Sequence, residues 1–134
     1  MSKQNVVAIF NSSPDTVDML REVLHHAGIT AVSAFTFDIR DGQVDLEGFI
    51  RQHQPGAIVY DVAPPYEPNW QLYQHLRSTP ALAHCRFVVT STNAEHVRAL
   101  AGRDERIYEI VGKPYDLGEI VQAVKETLRA RPTR

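Results

Sequence analysis

The chain has 134 residues, 43% of them hydrophobic, enough to bury the core of one domain and no more. Its 14 basic and 16 acidic residues leave a net charge of −2, which gives no electrostatic footprint for nucleic acid or an anionic membrane. The lone Cys85 excludes an internal disulfide framework. No apolar stretch approaches the ~20 residues of a bilayer-spanning helix, and Met1 to Asn5 lead into a strand-like run without a signal-peptide core. A single soluble, cytoplasmic domain is expected, with its core from about Val6 to Leu128 and a frayed tail over Ala130 to Arg134.

Short apolar runs alternate with segments of helical period. Val6 to Phe10 reads as a first strand, bounded by the turn-forming Asn11-Ser12-Ser13. Ser13 is placed as the N-cap of a helix with Pro14 in its first turn, where a missing N–H costs nothing. Val17, Leu20, Leu24 and Ala27 give that helix one apolar stripe, and Gly28 ends it. A weak strand from Ala31 to Phe35 precedes a helix around Leu46, Phe49 and Ile50. A third strand, Ala57-Ile58-Val59-Tyr60, runs into Asp61 and the breaker pair Pro64-Pro65. A third helix is expected near Asn69, carrying Trp70, Tyr73 and Leu76. The strand Phe87-Val88-Val89 runs into Thr90, and a fourth helix is capped by Asn93. The strand Ile110-Val111-Gly112 runs into Lys113-Pro114. The last helix, capped by Asp116, spaces Leu117, Ile120, Val121, Val124 and Leu128 along one face. Five βα units in succession imply an α/β fold: a doubly wound parallel sheet with right-handed crossovers and helices on both faces.

Asp61 is the most informative residue. A buried strand that delivers a carboxylate to its C-terminal tip places it where open α/β sheets keep their sites. With Thr90 and Lys113, an acid, a hydroxyl and an ammonium stand at the tips of successive strands. That set suits a phosphoryl-like group.

The order of Asp61, Thr90 and Lys113-Pro114 on this scaffold resembles the receiver domain of two-component response regulators, over nearly the whole chain. The resemblance implies a five-stranded, flavodoxin-like receiver fold with strand order 2-1-3-4-5. It also implies Asp61 as phosphoacceptor, Thr90 as the hydroxyl that closes on the phosphoryl group, and Lys113 as the ammonium that pairs with it. In this family the first strand ends in two acidic residues that hold Mg²⁺; here those positions fall on Asn11 and Ser12. Mg²⁺ wants carboxylate oxygens, and phosphoryl transfer relies on the metal to neutralise developing charge. Weak Mg²⁺ binding, no cofactor and weak or absent phosphorylation at Asp61 are therefore expected. The alternative is a conventional phospho-accepting receiver in a phosphorelay. The family's switch aromatic on the fifth strand falls on Ile110, which has no ring; Tyr108, two residues earlier, is not the matching position.

Replacement acids are few. Asp15 reads as a first-turn acid complementing the helix dipole, and Glu67, in the proline-rich loop after Asp61, as a solvated acid. A flavin-phosphate loop over Asn11 to Thr16 is disfavoured, because Pro14 removes a donor and Asp15 repels the phosphate. The six histidines show no ligand spacing, and Cys85 and Trp70 read as packing. No residues support an enzyme. With no output domain attached, the signal is expected to pass to a protein partner, a histidine kinase or a downstream signalling protein, or through homodimerisation. The face near Ile110 and the last helix is the expected surface. No nucleic-acid or membrane partner is expected.

Overall fold

A computed structural model describes residues 6–83, 85–102, 107–112 and 117–129, with the backbone alone at 108–112. Its elements in chain order are β1 (Val6–Asn11), α1 (Pro14–His26), β2 (Thr30–Phe35), α2 (Thr36–Arg40), α3 (Leu46–His53), β3 (Ala57–Asp61), α4 (Tyr66–Arg77), a 3₁₀ turn (Pro80–Leu82), β4 (Phe87–Ser91), α5 (Ala94–Ala101), β5 (Ile107–Gly112) and α6 (Leu117–Arg129). The strands are parallel in the order β2-β1-β3-β4-β5. β5 joins β4 with a register shift between Phe87 and Val88.

The sheet is covered on both faces, which is why β1 and β3 read as unbroken apolar runs rather than alternating ones. Val7, Ile9, Val59 and Val88 point to the side packed by Val17, Leu20 and Leu24 of α1 and Ile120, Ala123 and Val124 of α6. Ala8, Phe10, Ile58, Tyr60, Phe87 and Val89 point to the other side, against Ile39 of α2, Trp70, Tyr73 and Leu76 of α4 and Val97 of α5. Tyr73 sits at the centre of this second layer, with its ring centroid 4.8 Å from Trp70 and 5.1 Å from both Tyr60 and Phe87. The two layers sandwich the sheet between helices.

The caps follow local chemistry. Ser13 Oγ accepts from Thr16 N–H at 3.3 Å, and Asn93 Oδ1 accepts from His96 N–H at 3.1 Å. Each thereby satisfies one of the orphan donors at a helix N-terminus. Gly28 follows α1 at φ +82°, where nothing crowds a Cβ and only the backbone angle favours glycine.

Several boundaries move from the sequence expectation. β1 extends through Asn11, so Asn11 lies in the sheet and not in the turn. α4 begins at Tyr66, three residues ahead of Asn69. Pro68 occupies the first turn, whose N–H groups need no intrahelical partner, so the proline does not oppose the helix. The short α2 and the 3₁₀ turn were not expected. In α2 one buried residue, Ile39, is too little to set a helical period. β5 starts at Ile107, ahead of the apolar run that marked it.

Candidate functional site

Adjacent parallel strands align their side chains, so register decides which strand tips meet. Asp61 pairs with Thr90 in the β3–β4 register, and β1 pairs with β3 up to Phe10 and Tyr60, which sets Asn11 one step on, beside Asp61. By the period of two, Asn11, Asp61 and Thr90 continue the rows of Ile9, Val59 and Val88. All three are buried: Asn11 is 1%, Asp61 6% and Thr90 0% exposed.

The Thr90 hydroxyl donates to Asp61 Oδ1 at 2.6 Å. That is the short distance of a hydroxyl bound to a carboxylate, and such a bond is about twice as strong as a neutral one. Beyond the tips the pair stays closed: Val62 N–H donates to Thr90 O at 2.8 Å, and Ser91 Oγ to Val62 O at 2.9 Å. The sequence expectation that the acid and the hydroxyl converge is met.

Asn11 has a structural task. Its Oδ1 accepts from Ser13 N–H at 2.9 Å, forming an Asx turn that leads β1 into α1. That bond fixes the amide's orientation. Nδ2 then lies buried without a hydrogen-bond partner among the described residues. Ser12 is exposed and lines a cleft that reaches Asp61. Glu67 is exposed in the first turn of α4 and does not line that cleft; Asp15 is exposed in the first turn of α1. Neither is brought to Asp61. Among the described residues, no three His, Cys, Asp or Glu gather as a metal-ligand group. Lys113 and the Asp116 cap lie outside the described residues. Ile110 pairs with Val89 in β5, and its side chain is likewise outside them.

The cleft encloses about 490 Å³. Its floor is Tyr60, Asp61 and Ala63. One wall is α4 and the loop before it, through Pro64, Pro65, Pro68, Asn69 and Leu72; Asn69 Nδ2 donates to Ala63 O at 2.7 Å and ties the loop to the helix. The other wall is α2, through Thr36, Phe37 and Arg40. Phe37 is one of two large exposed hydrophobic residues among those described, and its ring stacks on Phe35 at 5.2 Å and 5°. Arg40 Nε donates to Asp41 Oδ1 at 3.1 Å. That bond, together with Asp41's charge, raises the already high pKa of the guanidinium. The sequence reading missed Phe37 and Arg40, since a five-residue helix leaves no periodic trace. The signal available was the pair Phe35 and Phe37 beside a basic residue.

Tyr60 adds a second buried polar group without a described partner, its hydroxyl. Burial first, then Tyr73 and the Asp61 charge, push its phenol well above the usual range. It is therefore neutral at physiological pH. Further round the edge, the Tyr66 hydroxyl is hydrogen-bonded to Thr92 Oγ1, and its ring lies 5.3 Å from that of His96.

The chain matches no protein-family model and no curated protein. Solved structures do share its fold. A sensor protein from Polaromonas sp. JS666 is 18% identical, with a TM-score of 0.72 over 92% of this chain and 95% of its own. The receiver domain of a Francisella response regulator is 16% identical, with a TM-score of 0.71 over 93% and 97%. A chemotaxis response regulator of Vibrio cholerae is 15% identical, with a TM-score of 0.68 over 91% and 97%. At these identities the likeness is one of fold: an α/β chain with a parallel sheet, shaped like response-regulator receiver domains.

Proposed function

We propose that the protein is a single-domain, atypical signalling receiver. It acts through protein–protein contact, with weak or absent phosphorylation at Asp61. One observation carries the reading: a buried Asp61 held by Thr90, with an amide in place of an acid beside it at the tip of β1. The fold likeness to receiver domains supports the class.

The donor set does not fit Mg²⁺. One carboxylate faces the edge, and the neighbouring amide oxygen is already committed to Ser13 N–H. The exposed Ser12 hydroxyl brings no charge to offset the dehydration of a hard cation. What the residues do instead is hold one another. Thr90 fixes the carboxylate, the β3–β4 bonds beyond it lock the edge, and Lys113 is the natural counter-ion on the chain for Asp61. Such a pocket keeps its shape without phosphate. A histidine kinase or a downstream protein is the proposed partner, with homodimerisation over the β5 and α6 face as a second mode. The protein is proposed to be a non-enzymatic, cytoplasmic component. No helix among the described residues is long and apolar enough to cross a membrane.

The test is intact-mass measurement after incubation with Mg²⁺ and acetyl phosphate, beside a Mg²⁺ titration. The wild type should bind metal weakly and gain little phosphate. The double variant Asn11→Asp, Ser12→Asp should gain both, since each added charge strengthens attraction to a hard cation. A wild type that matches the double variant would establish the conventional phospho-accepting receiver, which the Thr90–Asp61 geometry also supports.

A further inference from the structure

The α2 helix, absent from the sequence expectation, turns the accessible edge of the sheet into a two-walled cleft. Its volume of about 490 Å³ falls within the range of small-molecule sites. The walls are unlike in chemistry. Pro65, Pro68 and Leu72 present a rigid apolar surface, and across from them stands the ring of Phe37, 37% exposed and held flat by its stack on Phe35. Among the described lining residues Arg40 is the one cation and Asp61 the one anion. Among the described residues Arg40 is engaged only through Nε, by Asp41, which leaves both Nη groups of the planar fork for a ligand. An acid bound here is drawn to Arg40 and kept from the floor by the Asp61 carboxylate.

We propose that this cleft is a binding site for a small organic anion with a planar apolar body, its acid group on Arg40 and its body between Phe37 and the proline wall. The inference goes beyond the receiver reading and needs neither metal nor phosphorylation. A ligand seated there covers the mouth over Asp61, so occupancy would be read by any partner that docks at this edge.

The test is an NMR titration of the full-length protein in Mg²⁺-free buffer, with no phospho-donor, using benzoate and phenyl phosphate as probes. Benzyl alcohol supplies the body without the charge, and inorganic phosphate the charge without the body. Benzoate and phenyl phosphate should give saturable shifts at Phe37, Arg40, Ala63 and Leu72, with Kd on the order of 1 mM for ligands of this size. Arg40→Gln should weaken both by about tenfold, as loss of a charge-assisted pair predicts. Phe37→Leu, which keeps apolar bulk and removes the ring, should weaken both by about threefold to tenfold. Absence of saturable shifts, or unchanged affinity in Arg40→Gln, overturns the site. Equal binding of benzyl alcohol and benzoate, or of inorganic and phenyl phosphate, overturns the ligand class. Because no metal or phosphoryl donor is present, failure here leaves the receiver reading intact, and failure of phosphorylation leaves this site intact.

Discussion

Replacing Thr90 with valine removes one hydroxyl and preserves the shape of the side chain, so it isolates the bond to Asp61. Thr90 is fully buried and Asp61 is 6% exposed, so the bond lies largely away from solvent. A hydrogen bond to a charged group contributes about 1.5–3 kcal/mol, and Thr90→Val should destabilise the protein by that amount. With a urea m-value of about 2 kcal/mol/M, the midpoint should fall by about 0.75–1.5 M. The assay is equilibrium unfolding followed by the fluorescence of Trp70, the chain's only tryptophan and itself buried, with far-UV circular dichroism as the second probe. A double-mutant cycle with Asp61→Ala then separates the pair from the volume change. In the Asp61→Ala background the Thr90 hydroxyl has lost this acceptor, so valine should cost little and the coupling should reach about 1 kcal/mol or more. Additivity within about 0.5 kcal/mol would refute the argument that the two side chains act as a unit.

The other expectations follow from single contacts. Tyr60→Phe removes a buried hydroxyl with no described partner and should leave stability unchanged or raise it by up to about 1 kcal/mol; a clear loss in urea unfolding would mean the hydroxyl is satisfied. Because the Tyr60 phenol is raised in the fold, its contribution is fully present below the unfolded value of about 10 and is lost as pH climbs above it. Absorbance at 295 nm should therefore show Tyr60 ionising only as the chain unfolds. Asn11→Asp, Ser12→Asp should lower stability by about 1–2 kcal/mol without metal, because a carboxylate then stands beside Asp61; added Mg²⁺ should restore it in thermal melts. Ser13→Ala should cost about 1 kcal/mol by uncapping α1, measured the same way. Gln122→Lys, at an exposed position of α6, should weaken self-association by light scattering while leaving the circular dichroism spectrum unchanged.

How much was legible in the sequence depends on the range of the forces involved. Apolar runs, helical stripes and caps are local, and they alone placed α1 from its Ser13 cap, the buried strands β3 and β4, and the tips Asp61 and Thr90. The convergence of those two tips was also readable, since βα alternation admits few topologies and the C-terminal edge collects whatever each strand carries. The departure at Asn11 was visible as an amide where the resembled family has an acid.

Tertiary structure decided what the amide does. Only the register shows Asn11 extending β1 beside Asp61, its oxygen spent on Ser13 N–H and its nitrogen buried, because pairing between strands far apart in the chain leaves no local mark. The proline segment read as a loop, yet Tyr66 to Pro68 folded as the first turn of α4, since a helix start tolerates proline where a helix interior does not. Glu67 is exposed there, as read from the sequence. The cleft belongs wholly to tertiary packing. Phe37 and Arg40 lie on a helix too short for any period, and they meet Pro65 and Leu72 only because both flanking segments pack against the same edge of the sheet.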